Sequence, residues 1–281
     1  MGKSTLLNAL VGEKVSIVSA KPHTTRHRIL GVLNNNTDQA VFIDTPGHAR
    51  RDGRALHRLM SRVIHQSVED CDLILLVVEA TRRGGQDTSL IELLGERVAR
   101  TIIVLNKVDL VKDKANLLPV LKALGQYPCL SFVPLSAKSG KNLSSLRDEI
   151  FKNLPEGAPM FPLNVATDRD MRFRAAEIIR EKLLENLHQE IPYGLTVEVE
   201  HLHQSEDNRW LAHGLIWLER ATHKPIVIGK QGQLLKRVGT AARIEISEML
   251  GDRVHLELWV KIREHWSDSE RELQRLGFDA P

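Results

Sequence analysis

The sequence predicts an α/β domain built on a mostly parallel sheet, followed by a smaller α+β domain. Over residues 1–154, short apolar runs alternate with longer amphipathic stretches, as in strands joined by helical crossovers. The segment 155–159, Pro-Glu-Gly-Ala-Pro, interrupts this alternation with three helix-breaking residues. After it the chain changes to helix and strand patterns of a different order. We therefore predict a first domain over 1–154, a linker over 155–166 and a second domain over 167–281.

The apolar runs of the first domain are short, rich in branched side chains and flanked by turn residues, so they predict buried strands. These strands are predicted at 41–43, 73–78, 102–105 and 132–135, and helices at 4–10, 55–68, 87–100, 116–124 and 143–154. Open α/β sheets bind ligands beyond the carboxyl ends of their strands. The loops that follow these runs are therefore where a functional site is expected.

The second domain begins with apolar residues four apart, from Ala175 to Leu187, which predict an amphipathic helix. Alternating polarity then predicts strands at 195–200, 211–218 and 254–262, with a second helix over 235–249 before the last strand. The order helix–strand–strand–helix–strand indicates a small sheet covered by helices on one face.

The composition bounds the kind of protein. With 42% apolar and 27% charged residues, the chain has a soluble globular composition, and a net charge of +3 permits a nucleic-acid partner without requiring one. Cys71 and Cys129 each lie in or beside an apolar run, which predicts buried thiols in a reducing compartment. The longest apolar run, 73–78, is far shorter than the roughly 20 residues that span a bilayer. A cytoplasmic location is predicted.

The first motif, Gly2-Lys3-Ser4-Thr5, opens a predicted helix. In a phosphate-binding loop, backbone N–H groups surround the phosphates, the lysine reaches the β- and γ-phosphates, and the Ser or Thr hydroxyl binds Mg²⁺. The full pattern requires a glycine five residues before Gly2 and a strand before that. The chain contains neither, so we expect it to be a shortened version of a longer parent protein.

The second motif, Asp44-Thr45-Pro46-Gly47, follows the strand predicted at 41–43. An aspartate at a strand end can hold Mg²⁺, and Gly47 just beyond it lets a backbone N–H approach the γ-phosphate. A simple turn is the alternative, because Thr-Pro-Gly is common in turns.

The third motif, Asn106-Lys107-Val108-Asp109, follows the strand predicted at 102–105 and suits a guanine base. Asp109 can accept both the N1 proton and the 2-amino group of guanine, a pair of donors that adenine lacks. Asn106 is predicted to brace the neighbouring loops, and the stem of Lys107 to cover the base.

The fourth motif, Ser136-Ala137-Lys138, follows the strand predicted at 132–135, and its Ala137 N–H is predicted to meet guanine O6. Each of these short motifs alone would fit a capped helix start. Together, in this order and following the predicted strands, they predict a guanine-nucleotide site.

A different signal lies in the second domain. The loop Gly229-Lys230-Gln231-Gly232 joins an apolar run at 226–228 to a predicted helix, and such a G-x-x-G loop can clamp about four nucleotides of single-stranded RNA. On that helix Lys236, Arg237 and Arg243 are candidates for phosphate contacts, with an ordinary solvated face as the alternative. Trp259 and Trp266 are further candidates for stacking on bases, with packing near the C-terminus as the favoured alternative for Trp266.

The four nucleotide motifs, together with the run Thr24-Thr25-Arg26-His27-Arg28, resemble the Era family of GTPases. The predicted domain order also resembles this family, in which a P-loop GTPase domain with a mostly parallel sheet is followed by a KH-like domain of type II. The resemblance implies GTP/GDP and Mg²⁺ as ligands, with Ser4, Thr25 and Asp44 at the metal. Thr24 is the alternative to Thr25. It also places switches at about 19–28 and 47–62, and implies slow hydrolysis served by Lys3, Thr25 and Gly47.

His48 departs from the family, which carries an apolar residue at this position. A histidine there resembles translation elongation factors, where it positions the attacking water, so a catalytic role is one interpretation. The alternative is that it points away from the nucleotide. The arginines of 50–62 are interpreted either as a solvated helix face or as an RNA or ribosome contact.

By resemblance, the implied partners are single-stranded 16S rRNA and the small ribosomal subunit, whose assembly the protein would assist, and no DNA is predicted. A weak peripheral association with the inner face of the cell membrane is also implied. Two rival interpretations remain open at this point. One is an RNA-binding protein whose nucleotide site is inactivated by the short start, and the other is a GTP-regulated translation factor prompted by His48.

Overall fold

The computed structural model describes the chain except for residues 22–23, 36–37, 48–52, 82–90, 93, 114, 116 and 279–281. The chain forms two compact units, each made of separate segments. The first comprises Met1–Ser16, Leu30–Asp44 and Gln66–Thr167, and the second Ile17–Ile29, Thr45–His65 and Asp168–Pro281. Two segments from the first 65 residues thus belong to the same unit as the C-terminal part. The contiguous domain boundaries at 154 and 167 remain a prediction.

The elements follow one another in this order. The helices are α1 Lys3–Val11, α2 Ala55–Asp70, α3 Leu117–Leu124, α4 Leu143–Asn153, α5 Met171–Asn186, α6 Lys224–Ile228, α7 Gln233–Leu250 and α8 Glu270–Arg275. The strands are β1 Ile29–Asn35, β2 Asp38–Asp44, β3 Ile74–Glu79, β4 Thr101–Asn106, β5 Ser131–Pro134, β6 Leu195–Gln204, β7 Trp210–Leu218 and β8 Val254–Ile262. Short 3-10 helices include Gly95–Arg100, Val108–Leu110, Ile191–Gly194, Lys230–Gly232 and Trp266–Asp268.

The parallel sheet of the first unit has the order β3-β4-β5, with β4 in the middle. Ile102, Ile103 and Val104 on β4 are completely buried, which is why this run lacks alternation. The α/β class with a parallel sheet is confirmed.

Two details of the first unit differ from the prediction. β2 pairs in a separate two-stranded sheet with β1, a strand the sequence analysis missed. Gly31 interrupts the apolar pattern of β1 because helix α1 passes close to it, so that a Cβ on Gly31 would lie 2.6 Å from Leu7 Cδ1. The helix predicted over 87–100 is a 3-10 helix over its described final part, Gly95–Arg100, while most of the rest lies outside the described residues.

The C-terminal part of the second unit has the predicted element order. β6 pairs antiparallel with β7, and β7 parallel with β8. Helices α5 and α7 cover one face through completely buried residues that include Ile179, Leu183, Val238 and Ile246. The run 226–228 is part of the short helix α6, which precedes the Gly-Lys-Gln-Gly loop. The mixed sheet with an additional helix and strand first confirms the predicted KH-like arrangement.

Cys71 and Cys129 are free thiols of intermediate exposure, so the predicted burial is only partial. Desolvation raises the pKa of both thiols. Among the described residues, no helix has the length and apolar character needed to cross a bilayer.

Candidate guanine-nucleotide and RNA sites

The phosphate-loop motif lies at the amino end of α1, whose buried Leu6, Leu7 and Leu10 fix the helix in the first unit. Gly2 precedes the helix with a φ of +89°, a conformation that other residues rarely adopt. A Cβ on Gly2 would also lie 2.7 Å from Asn106 Nδ2, so the glycine lets this loop approach the third motif. Lys3, Ser4 and Thr5 then occupy the first turn of the helix, where backbone N–H groups favour an anion.

Two predicted magnesium ligands meet at this point. The Ser4 Oγ donates to Asp44 Oδ2 at 2.8 Å, because Asp44 ends β2 beside the first turn of α1. A third residue, Ser16, also donates its Oγ to Asp44 Oδ2 at 2.9 Å. The hydroxyl and carboxylate oxygens are hard donors of the kind that Mg²⁺ prefers, so the residues present fit this ion. Ser16 was missed because no motif marks it.

Asn106 ties three loops together at the carboxyl end of β4. Its side chain is buried; Nδ2 donates to Met1 O at 3.0 Å, while Oδ1 accepts from the N–H groups of Lys107 at 2.8 Å and Ala137 at 3.0 Å. The predicted bracing role of Asn106 is visible in these three bonds. The Ala137 N–H is engaged with Asn106 here, and its donation to guanine O6 stays a prediction.

The other candidate base contacts lie around Asn106. Asp109 is exposed on the 3-10 helix that follows β4, so its carboxylate is accessible to a ligand. Lys107 has a φ of +66° and its Nζ lies 2.9 Å from Glu79 Oε2 at the end of β3. That hydrogen bond is the main cause of the lowered pKa of Glu79. Ser136 is buried and its Oγ accepts from Ser139 N, whereas Lys138 is exposed.

Three predicted catalytic positions are not among the described residues of the first unit. Thr25 and Gly47 belong to segments of the second unit, and His48 lies outside the described residues. Thr25 is 5% exposed there. Their roles at the metal and the γ-phosphate stay predictions.

The segment that contains Thr25 is anchored within the second unit by the residues around it. The buried Arg26 donates from Nη1 to Leu195 O at 2.6 Å and from Nη2 to Pro192 O at 2.9 Å and Tyr193 O at 3.2 Å. Arg180 on α5 donates from Nη2 to Thr24 O at 2.5 Å. Thr25 therefore lies between two residues that are both bonded to the C-terminal part of this unit.

The same segment contacts the length of α5. The Val18 N–H donates to Glu181 Oε1 at 2.7 Å, and the Lys21 ammonium donates to the carbonyls of Leu184 and Leu187 at the end of the helix. Cations near a helix carboxyl end are favoured by its dipole. The predicted first switch is thus bonded along an element of the predicted RNA-binding part.

His27 stacks on Phe278 with ring centroids 4.1 Å apart and meets the edge of Phe173 at 5.0 Å. Desolvation lowers the pKa of His27 from 6.5 to about 4, with the charges of Glu177 and Arg180 acting in opposite directions on it. The imidazole is therefore neutral in the folded protein at neutral pH.

This lowered pKa predicts acid sensitivity. Between pH 6.5 and about 4 the unfolded chain binds a proton at His27 that the folded chain does not, so the free energy of unfolding falls as the pH falls through this window. The full loss is at most about 3–4 kcal/mol, at about 1.36 kcal/mol per pKa unit. Urea unfolding at several pH values should show a steeper decline for the unmodified chain than for His27→Phe, which keeps the stacked ring. Parallel curves for the two proteins would contradict the prediction.

The described arginines of the predicted second switch form contacts inside the second unit. Arg54 Nη1 lies 3.7 Å from Glu219 Oε2, Arg62 Nη2 lies 3.7 Å from Glu270 Oε1, and Arg58 donates to Gly53 O. Arg54 and Arg62 remain about half exposed, and exposed pairs of this kind are weak. A solvated face and an RNA contact both stay predictions for these arginines.

The Gly-Lys-Gln-Gly loop has the backbone that its sequence suggests. Gly229 and Gly232 have φ values of +76° and +75°, and Gln231 also lies in the left-handed region at +50°. A Cβ on Gly229 would lie 2.7 Å from Leu234 Cβ, so a glycine is needed there. Lys230 and Gln231 are exposed, as are Lys236, Arg237 and Arg243 on α7, which begins directly after the loop.

The two tryptophans considered for stacking have different surroundings. Trp259 is 42% exposed on the sheet face away from the helices, where its ring meets the edge of His213 at 5.3 Å. Trp266 is completely buried with Leu273 and Phe278 near the C-terminus, and its Nε1 donates to Gly194 O at 3.3 Å. Trp259 stays a candidate for stacking, whereas Trp266 is a core residue.

Comparisons with known proteins agree with a GTPase part followed by a KH part. Residues 1–107 match a family model described as 50S ribosome-binding GTPase, and residues 190–267 match a model described as KH domain. The chain is 45% identical over 279 residues to GTPase Era of Cronobacter sakazakii, with 99% of this chain and 93% of the relative covered. It is 44% identical over 280 residues to GTPase Era of Bordetella avium, with 99% and 94% covered.

Solved structures give the same result. The chain matches the structure of a point variant of Aquifex aeolicus Era bound to GDP.AlF4⁻ with a TM-score of 0.93 and 38% identity, covering 99% of this chain and 95% of that one. It matches Era in complex with MgGDPNP and nucleotides 1506–1542 of 16S ribosomal RNA with a TM-score of 0.94 and 38% identity, covering 99% and 94%.

Proposed function

Because this chain belongs to the Era family of GTPases, we propose that it binds GTP with Mg²⁺, hydrolyses GTP to GDP and phosphate, and holds the 3′ region of 16S rRNA during small-subunit assembly. The observation that carries the nucleotide half is the convergence of Ser4, Asp44 and Asn106 at the amino end of α1. Separate sequence motifs supply these residues, and the fold of the first unit brings them to one place.

In this proposal the chain's own residues bind and orient the nucleotide. The first turn of α1 and the Lys3 ammonium hold the phosphates, and Asp109 selects guanine through two acceptor oxygens. Ser4 and Asp44 hold Mg²⁺, which neutralises charge on the phosphate oxygens when bound. Thr25 completes this arrangement from the first switch, and Gly47 offers its N–H to the γ-phosphate. Positioning and charge neutralisation account for most of the rate in such sites.

Competition binding tests the nucleotide half. A fluorescent GDP should bind this chain and be displaced by GTP but not by ATP. The unmodified chain should then release phosphate from GTP, and Lys3→Ala should not. If no nucleotide binds, or if ATP competes as well as GTP, the guanine-nucleotide assignment fails for this chain.

For the RNA half, we propose that the Gly-Lys-Gln-Gly loop clamps the RNA backbone. The two left-handed glycines permit close approach, and Lys230, Lys236 and Arg237 supply positive charge. The relative whose structure contains nucleotides 1506–1542 supports a 16S rRNA ligand of this length. We also propose a contiguous second domain over 167–281. The proposed location is cytoplasmic, with a weak peripheral association at the membrane.

Replacing Lys230 should weaken this RNA binding in a salt-dependent way. Since one single-strand phosphate contact contributes about 0.7 to the slope of log affinity against log salt, Lys230→Ala should reduce that slope by about 0.7. The measurement is a titration of a 1506–1542 fragment at several salt concentrations. Lys152→Ala, which removes the same charge from an exposed helix of the first unit, is the matched control and should leave the slope unchanged. An unchanged slope in both variants would remove Lys230 from the RNA site.

A further inference from the structure

Ser16 has an environment that its place in a loop after α1 does not explain. The residue is 2% exposed, and its hydroxyl does not satisfy a nearby backbone group but donates to Asp44 Oδ2 at 2.9 Å. That same oxygen accepts the hydroxyl of Ser4 at 2.8 Å. Two hydroxyls from different parts of the chain therefore converge on one oxygen of the carboxylate that the proposed function assigns to Mg²⁺.

Asn8 places Ser16 by holding its backbone on both sides. Asn8 Oδ1 accepts from the N–H groups of Val15 and Ser16, each at 3.0 Å, and Nδ2 donates to Ser16 O at 2.7 Å. Asn8 lies four residues after Ser4 on α1, so both side chains are on the same face of this helix. The helix thus reaches Asp44 twice, directly through Ser4 and indirectly through Asn8 and Ser16.

The two hydroxyls have different expected duties when Mg²⁺ is present. Ser4 offers its oxygen to the metal, and its hydrogen bond to Asp44 then links two ligands of the same ion. Ser16 is bonded to the carboxylate alone in the described cluster. Residues that bond to metal ligands in this way fix the orientation of those ligands, and their loss typically costs about 10-fold to 100-fold in metal affinity.

We propose that Ser16 is a positioning residue of the magnesium site, whose hydroxyl, placed by Asn8, holds the Asp44 carboxylate in the orientation that receives the ion. This inference rests on the proposed GTP and Mg²⁺ binding and adds a residue to it. Ser16 is also the last residue of its segment in the first unit, since the chain enters the second unit at Ile17. The bond to Asp44 therefore fixes the chain a few residues before the predicted first switch, which begins at about residue 19.

The test measures fluorescent-GDP binding to the full chain as Mg²⁺ is titrated, and again in excess chelator. Mg²⁺ is expected to strengthen GDP binding, and Ser16→Ala should raise the Mg²⁺ concentration that gives half of this strengthening by about tenfold or more. The GDP affinity measured in chelator should change by less than about twofold. Ser16→Thr, which keeps the hydroxyl, should restore most of the Mg²⁺ response. Ser131→Ala is the matched control, because the Ser131 Oγ has no hydrogen-bond partner among the described residues, and it should behave as the unmodified chain.

The outcomes distinguish a failure of the Ser16 proposal from a failure of the proposed nucleotide binding. An unchanged Mg²⁺ requirement in Ser16→Ala, or an equal loss of GDP affinity with and without the metal, would overturn the positioning role while leaving the nucleotide site standing. Failure of the unmodified chain to bind GDP under either condition would overturn the nucleotide site and the Ser16 assignment with it.

Discussion

Asn106→Ala is expected to lower GDP affinity by at least about 100-fold and to destabilise the first unit by about 2–4 kcal/mol. The amide is buried and makes three hydrogen bonds, to Met1 O and to the N–H groups of Lys107 and Ala137. Its loss leaves a partly buried carbonyl and two N–H groups without this partner, and a fully buried group costs roughly 1–3 kcal/mol before relaxation. The affinity loss is larger than one contact would give because three loops of the predicted nucleotide site lose their common anchor.

GDP titration and hydrogen exchange of the first unit check this expectation. Asn153→Ala is the matched control, because its Nδ2 donates to a single carbonyl, Glu149 O at 2.8 Å, on the side of α4. That variant should keep full GDP affinity. If Asn106→Ala binds GDP within about fivefold of the unmodified chain, the three loops are held by other contacts and the bracing role is wrong.

Arg26→Ala is expected to destabilise the second unit by about 3–5 kcal/mol. The guanidinium is buried and donates to three carbonyls at residues 192, 193 and 195, and it lies near Glu177 and Arg180. Desolvation lowers the pKa of Arg26 to about 9, which is still above neutral pH, so the guanidinium stays charged there. Removing it takes this donor away from the three carbonyls, and breaking buried charged interactions costs this much in other proteins.

Tryptophan fluorescence during urea unfolding isolates this effect, since all four tryptophans lie between residues 210 and 266, in the second unit. Arg26→Lys should recover only part of the loss, because an ammonium cannot reproduce the planar fork that bonds several carbonyls. Arg58→Ala removes the same charge where the side chain, among the residues that the structure describes, bonds only to Gly53 O, and it should have little effect. Equal midpoints for Arg26→Ala and Arg58→Ala would contradict the prediction.

The meeting of Ser4 with Asp44 was predictable because each residue has a motif and a place at the end of an element. Asp44 ends a strand and Ser4 begins a helix, and each is the residue type that binds Mg²⁺ in its motif. Ser16 carries no such mark, because its contact depends on how Asn8 folds the following loop back. A lone serine between apolar residues has the same sequence appearance whether its hydroxyl meets a carboxylate or a neighbouring carbonyl.

The anchoring of 17–29 could not be predicted for a related reason. The partners of Arg26 and Lys21 are backbone carbonyls, which every residue possesses and no sequence pattern distinguishes. The C-terminal element order, by contrast, followed directly from the alternation in 195–200 and 254–262 and from the four-residue spacing of α5. Local periodicity was therefore sufficient for the elements, whereas their long-range polar contacts required the structure.

The interleaved make-up of the two units has a consequence for synthesis. The segments Ile17–Ile29 and Thr45–His65 leave the ribosome before any of Asp168–Pro281, the part with which they form a compact unit. At about 5–20 residues per second, the 114 residues from 168 to 281 require roughly 6–23 s to translate. The nascent chain carries Arg26 without its carbonyl partners until residues 192–195 have been made, and His27 without its stacked partner until Phe278 has been made. The second unit therefore cannot be completed before residues 168–281 have been made. Chaperone protection of the segments 17–29 and 45–65 would matter most during the synthesis of 168–281.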